Sequence, residues 1–374
     1  MSSVSENGQG CTAAPSLADI PALVRFSAAV TETLRLEDGV YCFDREWAEA
    51  VNRGRSPRYT LMVALGFARA EAAGYDGLPR TAREQLDAAI ADRSRLSIGD
   101  RGLALWVLAR LGDARATEWV TDLEGVTAED LRPLEGMEIG WLVTGAAAAV
   151  EAGLPAERLL AGFLAQLRSR RARKSPLFHH LGTGRGRALL PNFATQIYSV
   201  LALADVARIT NDQQALGEAT ALADLLVELR GPDCGWPWLF HAEKGRVVET
   251  YQVYSVHQDA MAPMAYFALG AATGNPRYAT AGAEGLPWCF GENELGLQFY
   301  DVPACFAHRA IKRGGWADRA ELWANTLTGV AGLRPRVRLG KPVVNTTCRP
   351  YHLGWVMEAW AGREANIELL GRAR

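Results

Sequence analysis

Residues 248–276, VETYQVYSVHQDAMAPMAYFALGAATGNP, join a polar and reactive beginning to an apolar continuation. The beginning carries Tyr254, His257 and Asp259, whereas the residues from position 260 to 272 are apolar or glycine. The stretch stops at Thr-Gly-Asn-Pro, and Gly274 followed closely by proline is typical of a helix that ends in a left-handed cap. The pattern predicts a buried helix with reactive groups at its amino-terminal end.

The same kind of ending recurs along the chain. Gly or Asn follows an apolar or helical stretch at positions spaced 38 to 63 residues apart. These positions are Gly74, Gly112, Gly153, Asn211, Gly274, Gly314 and Gly362. The helix before a cap is apolar nearly all round, as in LMVALGFA at 61–68, and the helix after it is amphipathic, as in TAREQLDAAIADR at 81–93. The apolar helices are expected to be buried on most sides, and the amphipathic helices to have one solvent-exposed face. Repeated units of about one helical hairpin indicate a repetitive architecture.

The predicted fold is all-α, an (α/α)6 or (α/α)7 barrel in which an inner ring of buried helices is surrounded by an outer ring. Residues 235–253 are the one exception, because they predict a small β-hairpin that turns at Glu243-Lys244-Gly245. A second long connection spans residues 170–192. Each of these two connections directly precedes an inner helix, so both are predicted to border the same mouth of the barrel. One toroid domain is expected over residues 16–374, after a flexible tail at residues 1–15.

Composition excludes some classes of partner. The chain has 374 residues and a formal net charge of −2, from 40 Lys and Arg against 42 Asp and Glu. This balance gives no electrostatic reason to expect nucleic acid or an anionic membrane as a partner. The longest apolar stretch is far shorter than the roughly 18 residues of a membrane span. The polar start of the chain lacks the features of a secretory signal, so a cytoplasmic protein with reduced cysteines is expected.

The inner helices of such a barrel all run in the same direction, so their amino-terminal ends meet at one mouth. Backbone N–H groups at those ends favour anionic ligands or developing negative charge. The candidate catalytic residues at these ends are His257, Asp259, Asp100, Glu138, Asp301 and His352. The candidate substrate-binding residues are Arg58, Tyr59, Arg101, Gln196, Trp236, Trp238, Tyr254, Trp288, Tyr300 and Tyr351.

Each candidate also has an ordinary structural explanation. Carboxylates near helix starts often serve as caps, and a lone histidine on an apolar helix is often a core residue. Positions 257 and 259 lie about 200° apart on a helix, so both side chains cannot point at the barrel axis. We therefore expect Tyr254 and His257 to share the inward face. Asp259 is expected to point sideways toward a neighbouring helix and to orient another residue there.

The organisation over residues 16–362 resembles the superfamily of six-hairpin glycosidase-like (α/α) toroids. That group includes glycoside hydrolases, polysaccharide lyases, uronyl C5-epimerases and N-acylglucosamine 2-epimerase-like enzymes. The resemblance is architectural, and the sequence contains no family-defining catalytic motif. The segment RGPDCGWPWLFHAEKGRVVETYQVYS at 230–255 is similar to the DGGWP segments of C5-epimerases, with Cys234 in place of the first glycine.

The same segment is also similar to the Q-x-x-D-G-G-W repeats of terpenoid cyclases, which form another toroid superfamily. The chain has no Asp-x-Asp-Asp run and no Asp-Asp-x-x-Asp run, so it lacks the motifs of the best-known isoprenoid mechanisms. PWCFG around Cys289 and TTCRPYH around Cys348 faintly resemble the zinc-binding segments of lanthipeptide cyclases. Here Cys348 and His352 are not adjacent, so no metal site and no cofactor are expected.

The resemblance implies a carbohydrate-active enzyme that acts on a sugar or uronic acid by acid/base chemistry, with a small molecule or an oligosaccharide as substrate. Hydrolysis needs two carboxylates at a fixed separation. Epimerisation or elimination needs a base and an acid on opposite faces of a ring carbon, and histidine suits proton transfer near neutral pH. The sequence leaves these reactions open. An unconventional isoprenoid-binding toroid and a non-catalytic binding or scaffold protein are the alternatives.

Overall fold

The computed structural model describes residues 15–16, 19–182, 186–231, 235–331, 333 and 340–373. Within these ranges the helices form two concentric rings. The inner ring consists of α2 (Pro57–Ala72), α4 (Ile98–Arg110), α7 (Gly136–Glu151), α9 (Phe193–Thr210), α11 (Ala262–Thr273) and α15 (Pro350–Trp360). The outer ring consists of α1 (Ile20–Thr33), α3 (Ala82–Ile90), α5 (Ala116–Glu124), α8 (Glu157–Arg168), α10 (Gln213–Leu229) and α12 (Pro276–Ala283).

Each inner helix packs against the next one in the order given, and α15 packs against α2, so the inner ring is closed. Each outer helix packs mainly against one inner helix, and the partner of α1 is α15. The predicted (α/α) toroid is therefore confirmed, and the described residues form six hairpins. Other helices connect or flank the rings. Three are short, namely α6 (Ala128–Leu131), α13 (Leu286–Cys289) and α16 (Glu368–Ala373), and the fourth is the longer α14 (Ala317–Ala331). None of the described helices is long and apolar enough to cross a membrane.

The left-handed caps explain how the sequence sets the ends of the inner helices. Positive φ angles occur at Gly74, Gly112, Gly153, Asn211, Gly274 and Gly362, as the sequence predicts. Glycine adopts this conformation without the steric penalty of a Cβ atom.

The expected cap at Gly314 is wrong. That residue follows strand β8 (Ala310–Arg313), and the positive φ belongs to Gly315 in the turn before α14. The prediction of an inner helix that starts near Tyr300 and Asp301 is also wrong. These residues form strand β6 (Tyr300–Asp301), which pairs with β7 (Phe306–Ala307). Helix α14, predicted to belong to the outer ring, packs against strands instead. Local apolar periodicity did not reveal the long-range strand pairing of this region.

The remaining strands lie in small antiparallel sheets. The predicted hairpin consists of β3 (Leu239–His241) and β4 (Arg246–Glu249), with Gly245 in the left-handed conformation at its turn. Three strands that the sequence did not indicate form a second sheet, with β1 (Asp44–Glu46) between β2 (Asn52–Arg53) and β10 (Thr347–Cys348). A third sheet places β8 between β5 (Val253–Tyr254) and β9 (Pro342–Asn345). This third sheet brings residues around position 309 beside Tyr254, at the start of the inner helix region.

The cysteines depart from expectation at one position. Cys42, Cys289 and Cys348 are free and buried, whereas Cys305 is disulfide-bonded, so the prediction that all cysteines are reduced is wrong. Sequence spacing did not reveal this bond because disulfide formation depends on how the folded chain brings sulfur atoms together. Cys11 and Cys234 lie outside the described residues, as does the predicted tail apart from Pro15.

Glycines allow the inner helices to approach closely. A Cβ atom on Gly66 of α2 would lie 2.2 Å from the backbone oxygen of Gly354 in α15. We expect Gly66→Ala to lower the free energy of unfolding by at least about 2 kcal/mol, because two helix backbones must separate. Gly162→Ala, on the outer helix α8 with no atom within 4 Å of the new methyl group, is expected to raise it by about 0.5–1 kcal/mol. Urea unfolding measures both values, and equal effects of the two substitutions would contradict this account of the packing.

Candidate active site

Two long connections cover the amino-terminal ends of α7, α9 and α11. The amide of Phe193 donates to the carbonyl of Trp238 at 3.0 Å, and the amide of Phe240 donates to the carbonyl of Pro191 at 3.0 Å. The Glu243 carboxylate at the hairpin turn accepts hydrogen bonds from the amides of residues 173 and 174. The loop and the hairpin therefore border the same mouth, as the sequence predicts; residues 183–185 of the loop lie outside the described ranges.

Three inner helices are connected at this mouth by one arginine. Arg58, at the start of α2, donates to Asp100 on α4 and to Glu138 on α7, the latter at 2.8 Å. Each carboxylate also caps its own helix: Asp100 accepts from the amide of Ser97 at 3.0 Å, and Glu138 accepts from the amide of Glu135 at 3.0 Å. The two carboxylates are thus engaged in capping and in one shared ion-pair network.

His257 occupies the first turn of the helical segment that leads into α11, and this turn is π-helical. Its ring is buried among aromatic rings, with centroids 4.6 Å from Phe193, 5.1 Å from Tyr254 and 6.3 Å from Trp238. Its Nδ1 atom is buried and has no hydrogen-bond partner in the described residues. Burial, together with smaller effects of the positive charges of Arg309 and His352, lowers the pKa of His257 to about 3. His257 is therefore neutral at physiological pH.

Asp259 lies two residues further and is completely buried. Its carboxylate lies 2.8 and 2.9 Å from Nε2 of His352 on α15. It also accepts from the hydroxyl of Tyr300 at 2.6 Å and from the thiol of Cys289 at 3.2 Å. Burial raises the pKa of Tyr300 and the pKa of Cys289 well above their usual values, so both remain protonated donors. Asp259 thus points to a neighbouring helix and fixes the imidazole of His352.

Aromatic rings and two arginines form the rest of the mouth. Tyr59 packs against Tyr351, with ring centroids 4.7 Å apart, and its hydroxyl accepts a hydrogen bond from Arg349 at 2.9 Å. The guanidinium of Arg309 lies over the ring of Tyr254, 5.1 Å from its centroid. Burial raises the pKa of Tyr59 to about 12, and the charges of Arg349, Arg309 and Arg58 act against that rise. Of these three guanidinium groups, that of Arg349 contacts the Tyr59 hydroxyl directly.

Other sequence-predicted residues are placed away from this cluster. Trp236 and Trp288 are fully buried in the core, so they present no surface to a sugar. Gln196 forms two hydrogen bonds with the backbone of Phe178 and so holds the loop at residues 170–192 against α9. Arg101 pairs with Asp122 on α5. Asp301 accepts from the indole of Trp47 and from the amide of Ala304.

Sequence reasoning missed two residues of the site. Arg309 lies between two short strands, and no helical pattern indicated that it would reach the mouth. Cys289 was considered only as a distant zinc ligand, and it instead donates to Asp259. In the described residues no three His, Cys, Asp or Glu side chains form a group that can hold a metal ion.

The depressed pKa of His257 predicts a stability change with pH. An unfolded histidine has a pKa of about 6.5, so the unfolded chain takes up a proton between pH 6.5 and 3 while the folded chain does not. Stability is therefore full above pH 6.5 and falls as the pH drops below it. Between pH 7 and pH 5 we expect the free energy of unfolding to fall by about 2 kcal/mol more in the wild-type protein than in the His257→Leu variant. Urea unfolding at the two pH values measures this difference, and parallel losses in both proteins would refute it.

Comparisons with known proteins support the fold. Models of known protein families do not match the sequence, and no curated protein matches it either. A sugar epimerase from a ruminal bacterium superposes with a TM-score of 0.61 at 11% identity, over 93% of this chain and 98% of the other. A possible member of the GH105 family from Salmonella enterica serovar Paratyphi A gives a TM-score of 0.58 at 12% identity, over 98% of this chain and 100% of the other.

A glycosyl hydrolase family 88 protein from Bacteroides vulgatus gives a TM-score of 0.52 at 9% identity, over 95% of this chain and 100% of the other. All three alignments extend over nearly the whole length of both chains. The chain therefore has the fold of the six-hairpin glycosidase-like toroids, as its sequence organisation indicates.

Proposed function

We propose that this protein is a sugar epimerase or isomerase that moves a proton at a carbon atom next to a carbonyl group. The observation that carries the proposal is a neutral histidine, His257, whose Nδ1 atom has no partner among the described residues, together with a second histidine, His352, that Asp259 orients. The helical segment that begins at His257 packs against α15, which carries His352, so the two histidines lie on contacting elements. Two histidines on different inner helices can serve one substrate as base and acid.

The proton transfer needs no other reactant. The imidazole of His257 takes the proton from the sugar carbon, and the electron pair of the C–H bond forms the double bond of an enediol. His352, held through Nε2, uses its other nitrogen to give a proton to the carbonyl oxygen. To form the isomer, His257 gives its proton to the neighbouring carbon while His352 takes back the proton of the hydroxyl group that becomes the new carbonyl. To form the epimer, His352 instead gives its proton to the same carbon from the face opposite His257, and exchange with solvent restores both imidazoles. Asp259 offsets the positive charge on His352 while it carries the proton.

Two-carboxylate hydrolysis has less support. A glycosidase needs one carboxylic acid and one carboxylate free to act on the same bond. Asp100 and Glu138 are engaged by Arg58 and by helix capping, and Asp259 is saturated by three donors. Asp301 lies against Trp47. Because these carboxylates already have partners, proton transfer by the two histidines is favoured over hydrolysis by two carboxylates.

An isoprenoid substrate also has less support, because the mouth contains three guanidinium groups and two imidazoles beside its aromatic rings. A hydrocarbon chain would desolvate these groups without supplying partners for them. A non-catalytic scaffold does not need an unpartnered imidazole at the mouth, since a buried polar atom without a partner is destabilising.

Solvent exchange tests the proposed reaction directly. The protein is incubated in D2O with separate reducing sugars, N-acylhexosamines and uronic acids, and proton NMR records the loss of carbon-bound hydrogen beside the carbonyl group. Deuterium uptake into one of these sugars, with a new epimer or ketose signal, is the expected result. Release of a sugar from a glycoside without any exchange would overturn the proposal in favour of hydrolysis.

Variants of the carboxylate network separate the two mechanisms. Asp100→Asn and Glu138→Gln are expected to lower the free energy of unfolding by about 1–2 kcal/mol through weaker capping and ion pairing. Both are expected to keep exchange within a few-fold of wild type.

A further inference from the structure

We propose that Arg309 and Arg349 form an oxyanion subsite at the mouth, so that the substrate is an acidic sugar that carries a carboxylate or a phosphate group. Calling the bound molecule a substrate rests on the proposed function. The binding site itself is inferred from the two arginines alone. Both side chains are partly buried at the rim of the histidine cluster. Neither has a carboxylate partner among the described residues.

Arg349 is held in place without being neutralised. Its guanidinium lies 4.2 Å from the ring centroid of Phe43 and 5.9 Å from that of Tyr59. One terminal nitrogen donates to the Tyr59 hydroxyl at 2.9 Å, and the Nε atom is buried without a partner. These contacts fix the direction of the planar guanidinium group and leave donors available for an anion.

Arg309 is held in a similar way, against the ring of Tyr254. Its backbone is pinned between two strands, because its amide donates to Asn345 and its carbonyl accepts from the amide of Ser255. The guanidinium lies over the Tyr254 ring, and its buried Nε atom has no partner. Within the described residues the side chain of Arg309 forms no hydrogen bond at all.

Several partly buried arginines elsewhere in the described chain have acceptors. Arg58, Arg110, Arg168, Arg230 and Arg313 each pair with a carboxylate. Those without a carboxylate donate instead to backbone carbonyls, as Arg170 does to Leu131 and Leu134 and Arg363 does to residues 358 and 359. Arg309 and Arg349 lack such acceptors among the described residues. Arg349 is the first residue before α15, and Arg309 lies over Tyr254 just before α11, the neighbouring inner helix.

A partly buried cation without a counter-ion is destabilising unless a ligand supplies one. Arginine presents its donors in a planar fork that matches carboxylate and phosphate oxygens. Two such forks at the mouth therefore fit an oxyanion better than a neutral hydroxyl group.

The location also links binding to chemistry. Arg309 is one of the charges that lower the pKa of His257. An anion bound to Arg309 offsets that charge and makes the imidazole of His257 a stronger base, so the substrate that fits the subsite also activates the proposed base.

Calorimetric titration tests the subsite independently of turnover. The probes are D-glucuronate, D-glucose 6-phosphate and D-glucose at one fixed ionic strength, because salt screens exposed charges. We expect at least one acidic sugar to bind roughly ten-fold or more tightly than glucose. The tighter of the two acidic probes identifies the group as a carboxylate or a phosphate. Equal affinity for glucose, or no binding of either acidic probe, would overturn the proposal.

The variants are Arg309→Gln and Arg349→Gln, with Arg101→Gln as the matched control. Each of the first two is expected to weaken binding of the acidic sugar roughly 10- to 100-fold and to leave glucose binding unchanged. Arg101→Gln makes the same change in net charge at an exposed pair with Asp122, and it should bind like wild type. An equal loss in the control would show that net charge alone attracts the sugar, and would refute the subsite.

Two further variants, Arg309→Lys and Arg349→Lys, distinguish a loss of binding from a folding defect. These variants keep the charge without the planar fork, so they should fold like wild type and bind with intermediate affinity. The two proposals fail separately. An acidic sugar that binds through both arginines but never exchanges its carbon-bound hydrogen refutes proton transfer and leaves the subsite standing. Exchange of a neutral sugar with no preference for acidic ones refutes the subsite alone.

Discussion

Replacing His257 by leucine is expected to lower deuterium exchange into the sugar substrate by about 10²- to 10⁴-fold, the range for loss of a general base. The melting temperature should stay the same or rise. Leucine has a similar volume, and it removes a buried Nδ1 atom that has no partner in the folded protein. The exchange rate by NMR and the melting curve by circular dichroism measure the two effects.

His241→Leu is the matched control for this prediction. His241 is also buried, its Nδ1 atom also lacks a partner, and it lies on strand β3 of the hairpin. The same substitution there removes a buried imidazole from outside the histidine cluster, so exchange should remain at the wild-type rate. Full exchange in His257→Leu would mean that His257 is only a packing residue.

Asp259→Asn is expected to reduce both activity and stability. The amide offers one acceptor oxygen where the carboxylate serves His352, Tyr300 and Cys289 with two. Removing one side of a buried charge-assisted network lowers the free energy of unfolding by about 3–5 kcal/mol. The imidazole of His352 also loses its fixed orientation, so kcat should fall by about 10²-fold or more. KM should change little, because Asp259 is buried beneath His352.

The comparison with Asp100→Asn decides between an orienting role and a general loss of structure. Asp100 is also a buried carboxylate at the start of an inner helix, but it caps α4 and binds Arg58. Its substitution should lower stability with kcat nearly unchanged. If Asp100→Asn abolished turnover and Asp259→Asn preserved it, the assignment of the acid/base pair to the histidines would be wrong.

Several parts of the site follow from local sequence patterns. Helix direction in an α/α barrel places the starts of the inner helices at one mouth, so residues such as Arg58, Tyr59 and His352 could be located from their positions alone. The rings of Tyr254 and His257 are in contact. The helical spacing from which this was expected is wrong, because Tyr254 lies on strand β5 and His257 begins a π-helical turn. The catalytic roles of these residues stay predictions.

Other parts were beyond sequence reasoning for identifiable reasons. Trp236 and Trp288 look like sugar platforms in sequence, yet loops that fold back over the barrel bury both. Asp100 and Glu138 look like a catalytic pair, yet one arginine from a third helix joins them. Whether a polar side chain is free or engaged depends on partners 42 and 80 residues away.

The sequence by itself determined the toroid, because apolar periodicity and left-handed caps are local properties that act within each helix. It also determined which mouth carries the polar residues, since helix direction fixes where each helix starts. Only the tertiary structure decided which of those residues are available for chemistry. Strands β5 and β8 pair across more than 50 residues and bring Arg309 to Tyr254 and His257. Hydrogen bonding, ion pairing and burial at the mouth arise between elements distant in sequence, so no local pattern encodes them.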